Sequence, residues 1–395
     1  MPAYLVRRLR RLSAKLGFER DWYLFFLAAV IGTGTAGVAL AFMKSIRWME
    51  LRFEDASTTA LLWVIPLAPV VGAGLAGIII HTLAREARGH GVPEVLYAVH
   101  RNKSRIKLRV ALAKWMSAFC TIGSGGSAGA EGPIVQIGSS IGSKVGQLLR
   151  TSPQNTATLL GCGAAAGIAS VFNAPIAGIF FVLEILLRDF SLRTFTPIVI
   201  ASVFSAVCTQ AVLGENTALF AVADDFSVGA FSAAEIPNYL LLGAMCGLVA
   251  VAFIKSLYWT EDAYGRLGIH PILKPVTGAA ILGLIGVAFI LVNPLRHGLP
   301  PFFGNGYSVV TSLLRTDYYL AAPASALFVT LAALCVLKIA ATCLTLGSGG
   351  SGGVFAPSLM MGACAGGAFG IIVDGLDWAP HASPAHYALV GMAAV

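Results

Sequence analysis

The residues best suited to chemistry lie at positions 123–138, which read GSGGSAGAEGPIVQIG and contain a single carboxylate, Glu131. Apolar sequence flanks this stretch, and an acid at bilayer depth costs about 2.5 to 3.5 kcal/mol on insertion scales, so a helix that faced only lipid would not carry one. The glycines before Gly132 and Pro133 indicate a helix start, where unpaired backbone N–H groups and the positive end of the helix dipole attract anions. Glu131 is therefore a candidate functional carboxylate, and it is itself an anion tethered to the chain.

The composition of the 395-residue chain predicts a membrane protein. Hydrophobic residues make up 57% of it and charged residues 12%, and the mean hydropathy of +0.79 lies far from that of a soluble domain. Apolar runs long enough to span a bilayer recur at residues 22–43, 61–83, 197–213, 239–254, 275–292 and 321–346. Shorter apolar pieces interrupted by glycine lie between them, which is typical of broken, re-entrant helices around a protected cavity. We predict an all-α, polytopic membrane protein.

The net charge of +8 does not indicate a nucleic-acid partner, because the basic residues concentrate near the N-terminus. We interpret residues 1–21 as a cytoplasmic amphipathic helix, although an ordinary basic flank of the first span would give the same orientation. The seven cysteines lie scattered through apolar segments without CxxC spacing, so we expect packing residues and neither a metal site nor disulfides. We expect no cofactor. The compact loops favour a bacterial inner (plasma) membrane as the location.

A repeat divides the chain into two homologous halves. Lys114 is followed nine residues later by GSGGSAGAEGP, and Lys338 is followed nine residues later by GSGGSGGVFAP. The offset is 224 residues throughout, which is improbable by chance. Transporters commonly arise by such duplication, with two broken helices that meet near the bilayer midplane. Glu131 and Phe355 therefore occupy equivalent positions in the two halves.

The repeat sets the predicted organisation of the chain. We predict a first transmembrane repeat at residues 22–213, a linker at 214–237 and a second repeat at 238–395. Residues 163–166 of the first half correspond to 391–394 of the second, where the sequence ends. The second repeat is thus incomplete at its C-terminus, and we expect further residues in the natural protein, because half a repeat would leave apolar helix faces unpartnered.

Three breaks rich in glycine and proline stand out, at residues 89–94, 123–133 and 352–357. Each could present unbonded backbone N–H groups to one anion, because glycine lets an ion approach the backbone closely. Glycines can also serve close helix packing, but three breaks, two of them related by the repeat, favour anion binding. Lys114 and Lys338 lie inside predicted spans at the same repeat position. They could attract anions, neutralise a buried carboxylate or extend to the membrane interface.

Two other classes of protein remain open at this point. An intramembrane hydrolase would pair Ser124 or Ser127 with His90, but neither an acid partner nor a nucleophile elbow accompanies these residues. A membrane scaffold without transport would tolerate changes at Glu131. Either class leaves the repeated breaks without a role.

The three breaks resemble, in order and spacing, the three signatures of the CLC family of chloride channels and chloride/proton exchangers. The matching segments are residues 89–93, 129–133 and 353–357, and residues 173–178 and 304–307 look like further landmarks of that family. The resemblance covers the chain from about Trp22 to its end. It implies a CLC-like inverted-repeat bundle that forms a homodimer in the lipid bilayer, with one pore in each subunit.

The resemblance also implies roles for individual residues. Glu131 matches the gate glutamate, which occupies an anion site when ionised and swings away when protonated. Chloride and similar small anions would be the permeant ligands. Their predicted binding residues are His90, Gly91, Ala130, Gly132, Val354, Phe355 and Ala356. The family usually has serine where this chain has His90; the imidazole can still donate an N–H, and protonation would strengthen its hold on an anion.

The position after Glu184 favours one of the two transport modes that the resemblance implies. Exchangers of the best-known type carry an inner proton-transfer glutamate there, and this chain has Ile185. The loss favours a voltage-gated channel-like protein over a chloride/proton antiporter, which stays the alternative. Glu184 is a candidate for the proton pathway, or else an ion-pair partner of Arg188 at helical i, i+4 spacing.

Overall fold

The structure, a computed structural model, describes residues 22–214, 220, 233–292, 298–376 and 382–395. The amphipathic helix predicted for residues 1–21 lies outside the described residues, as does most of the linker predicted for 214–237. The described residues are almost entirely helical and contain isolated bridges but no strand. They form an all-α, polytopic bundle with broken helices, as the sequence predicts.

The helices follow one another with short connections. In chain order they are α1 (Trp22–Thr82), α2 (Val92–Arg101), α3 (Leu108–Gly123), α4 (Glu131–Leu148), α5 (Pro153–Phe172), α6 (Pro175–Phe181), α7 (Leu192–Leu213), α8 (Ile236–Arg266), α9 (Leu273–Val292), α10 (Tyr307–Leu313), α11 (Thr316–Leu320), α12 (Ala324–Thr342), α13 (Phe355–Asp374) and α14 (Pro384–Ala394). Two π-helical turns, Val182–Leu187 and Cys343–Gly347, extend α6 and α12.

Within the described residues, 8 helical segments are long and apolar enough to cross a membrane. Six of them correspond to the six predicted runs, and α1 carries two, Trp22–Asp55 and Trp63–Thr82. The sequence missed Pro153–Phe172 and Phe355–Asp374. In the most apolar part of each helix, 89% of the residues of Pro153–Phe172 and 72% of those of Phe355–Asp374 are buried inside the protein. These two helices are rich in Gly and Ala because they pack against protein on most sides, so they lack the strong hydropathy of a lipid-facing span. The chain is thus an integral, multi-pass membrane protein.

The packing repeats between the two halves. α4 packs on α5, and α13 packs on α14. A Cβ atom at Gly138 of α4 would lie 2.1 Å from the carbonyl oxygen of Gly163, and one at Gly362 of α13 would lie 2.2 Å from that of Gly391. These equivalent close approaches bring together the helices that flank the two central breaks. The boundaries proposed for the halves stay a prediction.

A pair of hydrogen bonds crosses between the halves with the same symmetry. The Ser127 N–H donates to Thr345 Oγ1 at 3.0 Å, and the Ser351 N–H donates to Thr121 Oγ1 at 3.4 Å. Each bond maps onto the other at the repeat offset of 224 residues. Buried apolar residues of both halves surround this contact in a single core cluster. The central breaks are therefore held by the core of the bundle.

Candidate functional site

The two central breaks each lead into a helix with the same start. Ala130 caps α4, which begins with Glu131, Gly132 and Pro133. Val354 caps α13, whose first residues are Phe355, Ala356 and Pro357. The first turn of a helix leaves its N–H groups without partners in the helix, and proline has none to offer. Each start therefore aims a short row of backbone N–H groups outward from a buried position.

The two starts are joined directly by their preceding glycines. The Gly129 N–H donates to the Gly353 carbonyl at 2.8 Å, and the Gly353 N–H donates to the Gly129 carbonyl at 2.7 Å. Gly129 and Gly353 are the same position of the repeat. This reciprocal bridge brings the positive ends of α4 and α13 together, as the sequence predicts for broken helices of duplicated halves.

The first break, residues 89–94, contacts the two helix starts as well. The Gly352 N–H donates to the Gly89 carbonyl at 3.4 Å. A Cβ at Gly132 would lie 2.0 Å from the His90 carbonyl oxygen, and one at Gly91 would lie 2.6 Å from the Gly132 carbonyl oxygen. Only glycine permits this close approach. The three breaks recognised in the sequence therefore converge on one point.

The Glu131 carboxylate lies inside this convergence, with 4% of the residue exposed. The Tyr307 hydroxyl donates a hydrogen bond to Oε1. The backbone N–H groups of Glu131 itself and of Ala356 also act on the carboxylate. Oε2 has no hydrogen-bond partner among the described residues. The two backbone N–H groups therefore attract the carboxylate electrostatically, without hydrogen bonds to it. The carboxylate thus lies where a bound anion would meet both helix starts.

Gly129 makes room for this arrangement. A Cβ there would lie 2.0 Å from Glu131 Oε2 and 3.0 Å from the Ala356 Cβ. The carboxylate therefore folds back over the backbone of Gly129 and takes up the space that a side chain at this position would need.

Lys114 and Lys338 are both fully buried, which excludes the predicted extension to the membrane interface. Lys114 Nζ donates to the Gly89 carbonyl at 2.6 Å and to the Ala87 carbonyl at 3.2 Å. Lys338 Nζ donates to the Gly304 carbonyl at 2.8 Å and to the Phe302 carbonyl at 3.2 Å. Each lysine therefore holds the carbonyls of a glycine turn within its own half.

These lysines reveal a second repeat relationship. Gly89 and Gly91 have φ of +77° and +91°, and Gly304 and Gly306 have φ of +59° and +82°. Both pairs form Gly-x-Gly turns that lead into a helix, α2 in one half and α10 in the other. The turns lie 215 residues apart and the lysines 224 apart. A comparison at one fixed offset therefore misses the equivalence.

The ring of His90 contacts α8. Its Nε2 lies 3.2 Å from Glu261 Oε1, and its buried Nδ1 has no hydrogen-bond partner among the described residues. Neither serine of the hydrolase alternative bonds to His90. Ser124 Oγ bonds to the Thr121 carbonyl and Ser127 Oγ to Thr342 Oγ1. The predicted hydrolase arrangement is therefore not formed.

A cavity of about 1880 Å³ opens beside the convergence. Glu131, Gly132, Gly353, Val354 and Phe355 line it, and so does His90. Four basic side chains line it as well, from Arg85, Arg88, Arg105 and Lys107. The acids Glu86, Glu94 and Glu261 line it too, so the cavity presents charge of both signs.

Glu184 lies apart from this site. It is an exposed residue of the π-helical turn Val182–Leu187 and does not line the cavity, and Ile185 beside it is 42% exposed. It forms no ion pair with Arg188, so that prediction is wrong. The π-turn replaces the α-helical i, i+4 spacing, and Arg188 ends it with a left-handed backbone, φ 52°.

Sequence reasoning missed two residues of the site, Tyr307 and Glu261. Tyr307 belongs to a segment recognised only as a landmark, residues 304–307, although its Gly-x-Gly spacing matches Gly89 and Gly91 and could have signalled the turn. Glu261 lies far along the chain on α8, and no motif marks it. Its contact with His90 depends on the packing of α8 against the π-turn Cys343–Gly347.

Comparison with known proteins gives consistent matches along most of the chain. A family model described as voltage gated chloride channel matches residues 72–395. A putative chloride channel protein, ClcB-like, of Ralstonia nicotianae is 30% identical over 93% of this chain and 83% of its own length. The H(+)/Cl(-) exchange transporter ClcA of Salmonella schwarzengrund is 32% identical over 99% of this chain and 81% of its own.

Two solved structures have the same fold. A slow cyanobacterial Cl-/H+ antiporter superposes with a TM-score of 0.80 at 23% identity, covering 93% of this chain and 84% of that one. A CLC-type fluoride/proton antiporter superposes with a TM-score of 0.75 at 24% identity, covering 95% of this chain and 87% of that one. At these identities the likeness establishes the fold alone.

Proposed function

The chain belongs to the voltage-gated chloride channel (CLC) family, whose members are channels and transporters, and on this premise we propose that it exchanges chloride for protons across a membrane. The family resemblance alone favours a channel, because Ile185 stands where exchangers of the best-known type carry an inner acid. The relatives at 32% identity that are named H(+)/Cl(-) exchange transporters support exchange over that interpretation.

The observation that carries the proposal is the position of the Glu131 carboxylate between the starts of α4 and α13. An ionised carboxylate and a chloride ion cannot occupy the same place. When a proton neutralises Glu131, the attraction of the helix starts for its side chain falls, and chloride can take its place. Protonation and chloride occupancy are then linked, which is the requirement for exchange.

Backbone groups would bind the anion in this mechanism. We propose that the N–H groups at the helix starts and at the first break do so, and that His90 contributes from the same cavity. The binding residues are His90, Gly91, Ala130, Gly132, Val354, Phe355 and Ala356. Partial charges hold a halide more loosely than a full ion pair would, which permits rapid release. Protons would reach Glu131 from the cavity or along a path that includes Glu184.

The remaining assignments also rest on family membership. We propose that the protein acts as a homodimer within a lipid bilayer, in a bacterial inner membrane. Chloride, similar small anions and protons are its substrates. It performs no enzymatic reaction, needs no cofactor and binds no nucleic acid.

The decisive experiment uses sealed proteoliposomes with an outward chloride gradient, no pH gradient and the membrane potential clamped at zero. Chloride that leaves through an exchanger drives protons inward. The interior should therefore become acidic, although neither a pH gradient nor a membrane potential is present to move protons at the start. A channel, the second candidate, would pass chloride rapidly without moving protons. That outcome would restore the interpretation favoured by Ile185.

A further inference from the structure

We propose that Tyr307 is the positioning residue of the gate: its hydroxyl holds the ionised Glu131 side chain between the helix starts and thereby sets the pH at which the gate opens. The inference rests on the proposed role of Glu131. It assigns a function to the Gly-x-Gly turn of the second half, residues 304–306, and to the residue that follows the turn.

The contact itself is selective for the ionised gate. The Tyr307 hydroxyl donates to Glu131 Oε1, and hydrogen bonds donated to a carboxylate favour its charged form. Within the described residues it is the one side chain that hydrogen-bonds to this carboxylate. Oε2 has no hydrogen-bond partner, so without the hydroxyl no described side chain would donate to this carboxylate.

Other groups act on Glu131 from each neighbouring element, and none of them duplicates the hydroxyl. They are the backbone N–H groups of Glu131 on α4 and of Ala356 on α13, and the ammonium group of Lys338 on α12. Glu50 on α1 acts on Tyr307 and Lys338. Lys338 Nζ is already bonded to two carbonyls. It therefore contributes attraction at a distance but no donor to the gate.

Tyr307 is well held for such a role. Its backbone N–H donates to Asn305 Oδ1 at 3.0 Å, and Lys338 fixes the turn by bonding the Gly304 carbonyl. A Cβ at Gly306 would lie 2.5 Å from the Met360 sulfur, so the turn is packed tightly against α13. The Tyr307 ring also packs edge-on against Phe220, with centroids 5.3 Å apart. A donor held from both ends can select one position of a mobile partner.

The equivalent turn of the first half cannot act in this way. Val92 follows Gly91 and begins α2, as Tyr307 follows Gly306 and begins α10. Valine has no donor, and the first-half turn instead contacts the backbone of Gly132. The two related turns therefore serve different purposes. The one at His90 contacts the backbone behind the gate, and the one at Tyr307 contacts its carboxylate.

The test is the variant Tyr307→Phe, which removes one oxygen and keeps the ring. Chloride flux from proteoliposomes should still rise with acidification, but the half-maximal point should move to higher pH by about one unit, the scale of one hydrogen bond to a charged group. The matched control is Tyr319→Phe on the neighbouring α11, whose hydroxyl donates to the Leu313 carbonyl at the end of α10 at 3.1 Å. It should leave the profile unchanged.

A double variant separates positioning from a general loosening of the bundle. In the Glu131→Gln background, Tyr307→Phe should produce no further change in the pH profile, because no ionised gate remains to be held. An unchanged midpoint in Tyr307→Phe, or an equal shift in Tyr319→Phe, would overturn the role of Tyr307. Persistent pH dependence in Glu131→Gln alone would instead contradict the gate assignment, so the two failures are distinguishable.

Discussion

Gly129 and Gly353 hydrogen-bond to each other through both of their backbone N–H groups, at 2.8 and 2.7 Å, and they occupy the same position in the two halves of the chain. A contact between equivalent residues lies on the local symmetry axis that relates the halves. Because a helix starts immediately after each glycine, this bridge sets the separation of the two helix starts. The geometry of the proposed anion site therefore depends on the backbones of two glycines.

Gly129→Ala should weaken the control of chloride flux by pH. The new Cβ would lie 2.0 Å from Glu131 Oε2 and 3.0 Å from the Ala356 Cβ, so the carboxylate could not fold into its observed place. Because a displaced carboxylate no longer competes with chloride for the helix starts, we expect chloride flux at neutral pH to rise toward the level that the natural protein reaches in acid. Gly243→Ala is the matched control, because a Cβ there meets nothing within 4 Å. Equal pH profiles of the two variants would contradict the described packing around the gate.

Glu131→Gln should mimic the protonated gate. The amide carries no charge, so it competes with chloride for the helix starts no better than a protonated acid does. Chloride flux should become independent of pH and should no longer move protons, as recorded in the clamped proteoliposome assay. Asp262→Asn, which neutralises an exposed acid at the end of α8, should retain both properties of the natural protein. Retention of steep pH dependence in Glu131→Gln would exclude Glu131 as the gate.

Much of the site could be predicted because its elements leave local marks in the sequence. Glycine beside proline announces a helix start, and the recurrence of GSGGS after Lys114 and Lys338 announces that two such starts are related. Glu131 stands out because an acid is rare in apolar surroundings. Each of these signals lies within about ten residues, which is the range over which turn chemistry and helix capping operate.

The missed features depend on contacts between distant segments. Tyr307 and Glu131 are 176 residues apart, and His90 and Glu261 are 171 apart, so neither pair has a local pattern. The hydropathy of Pro153–Phe172 also misled the assignment of spans. A helix buried among other helices needs small residues for close packing more than it needs strongly apolar ones. Tertiary packing decides these cases.

Asp189 should make folding stability depend on pH in the acidic range. The Thr194 hydroxyl, the Ser191 N–H and the Ser191 hydroxyl all donate to its carboxylate at the start of α7, and they hold the pKa of Asp189 below its ordinary value. A lowered pKa in the folded state contributes stability above the unfolded pKa of about 3.9, and this contribution disappears as the pH falls through the folded pKa.

Asp189→Asn should therefore unfold at a lower temperature than the natural protein at pH 7, by less than about 1 kcal/mol in stability because the group is largely exposed to solvent. The difference should shrink at pH 3, where the natural carboxylate is becoming protonated. Thermal unfolding in detergent at the two pH values measures both quantities. If the difference in stability between the two proteins is the same at both pH values, the charge of Asp189 is not its cause.

Lys338→Met and Lys114→Met should each destabilise the bundle strongly. Each lysine is fully buried and bonds two carbonyls of a glycine turn, and methionine fills similar space without a donor. A buried polar group left unpaired costs about 1 to 3 kcal/mol, so the loss of two partners should cost several. Thermal unfolding in detergent compares the variants with Lys255→Met, whose side chain is exposed on α8. If the turns are needed mainly for folding, both variants should lose stability alike.

Because only the Lys338 turn leads to Tyr307, flux in folded Lys338→Met should also show the higher pH midpoint of Tyr307→Phe, whereas folded Lys114→Met should keep the natural midpoint. Identical midpoints in the two lysine variants would separate the turns from control of the gate.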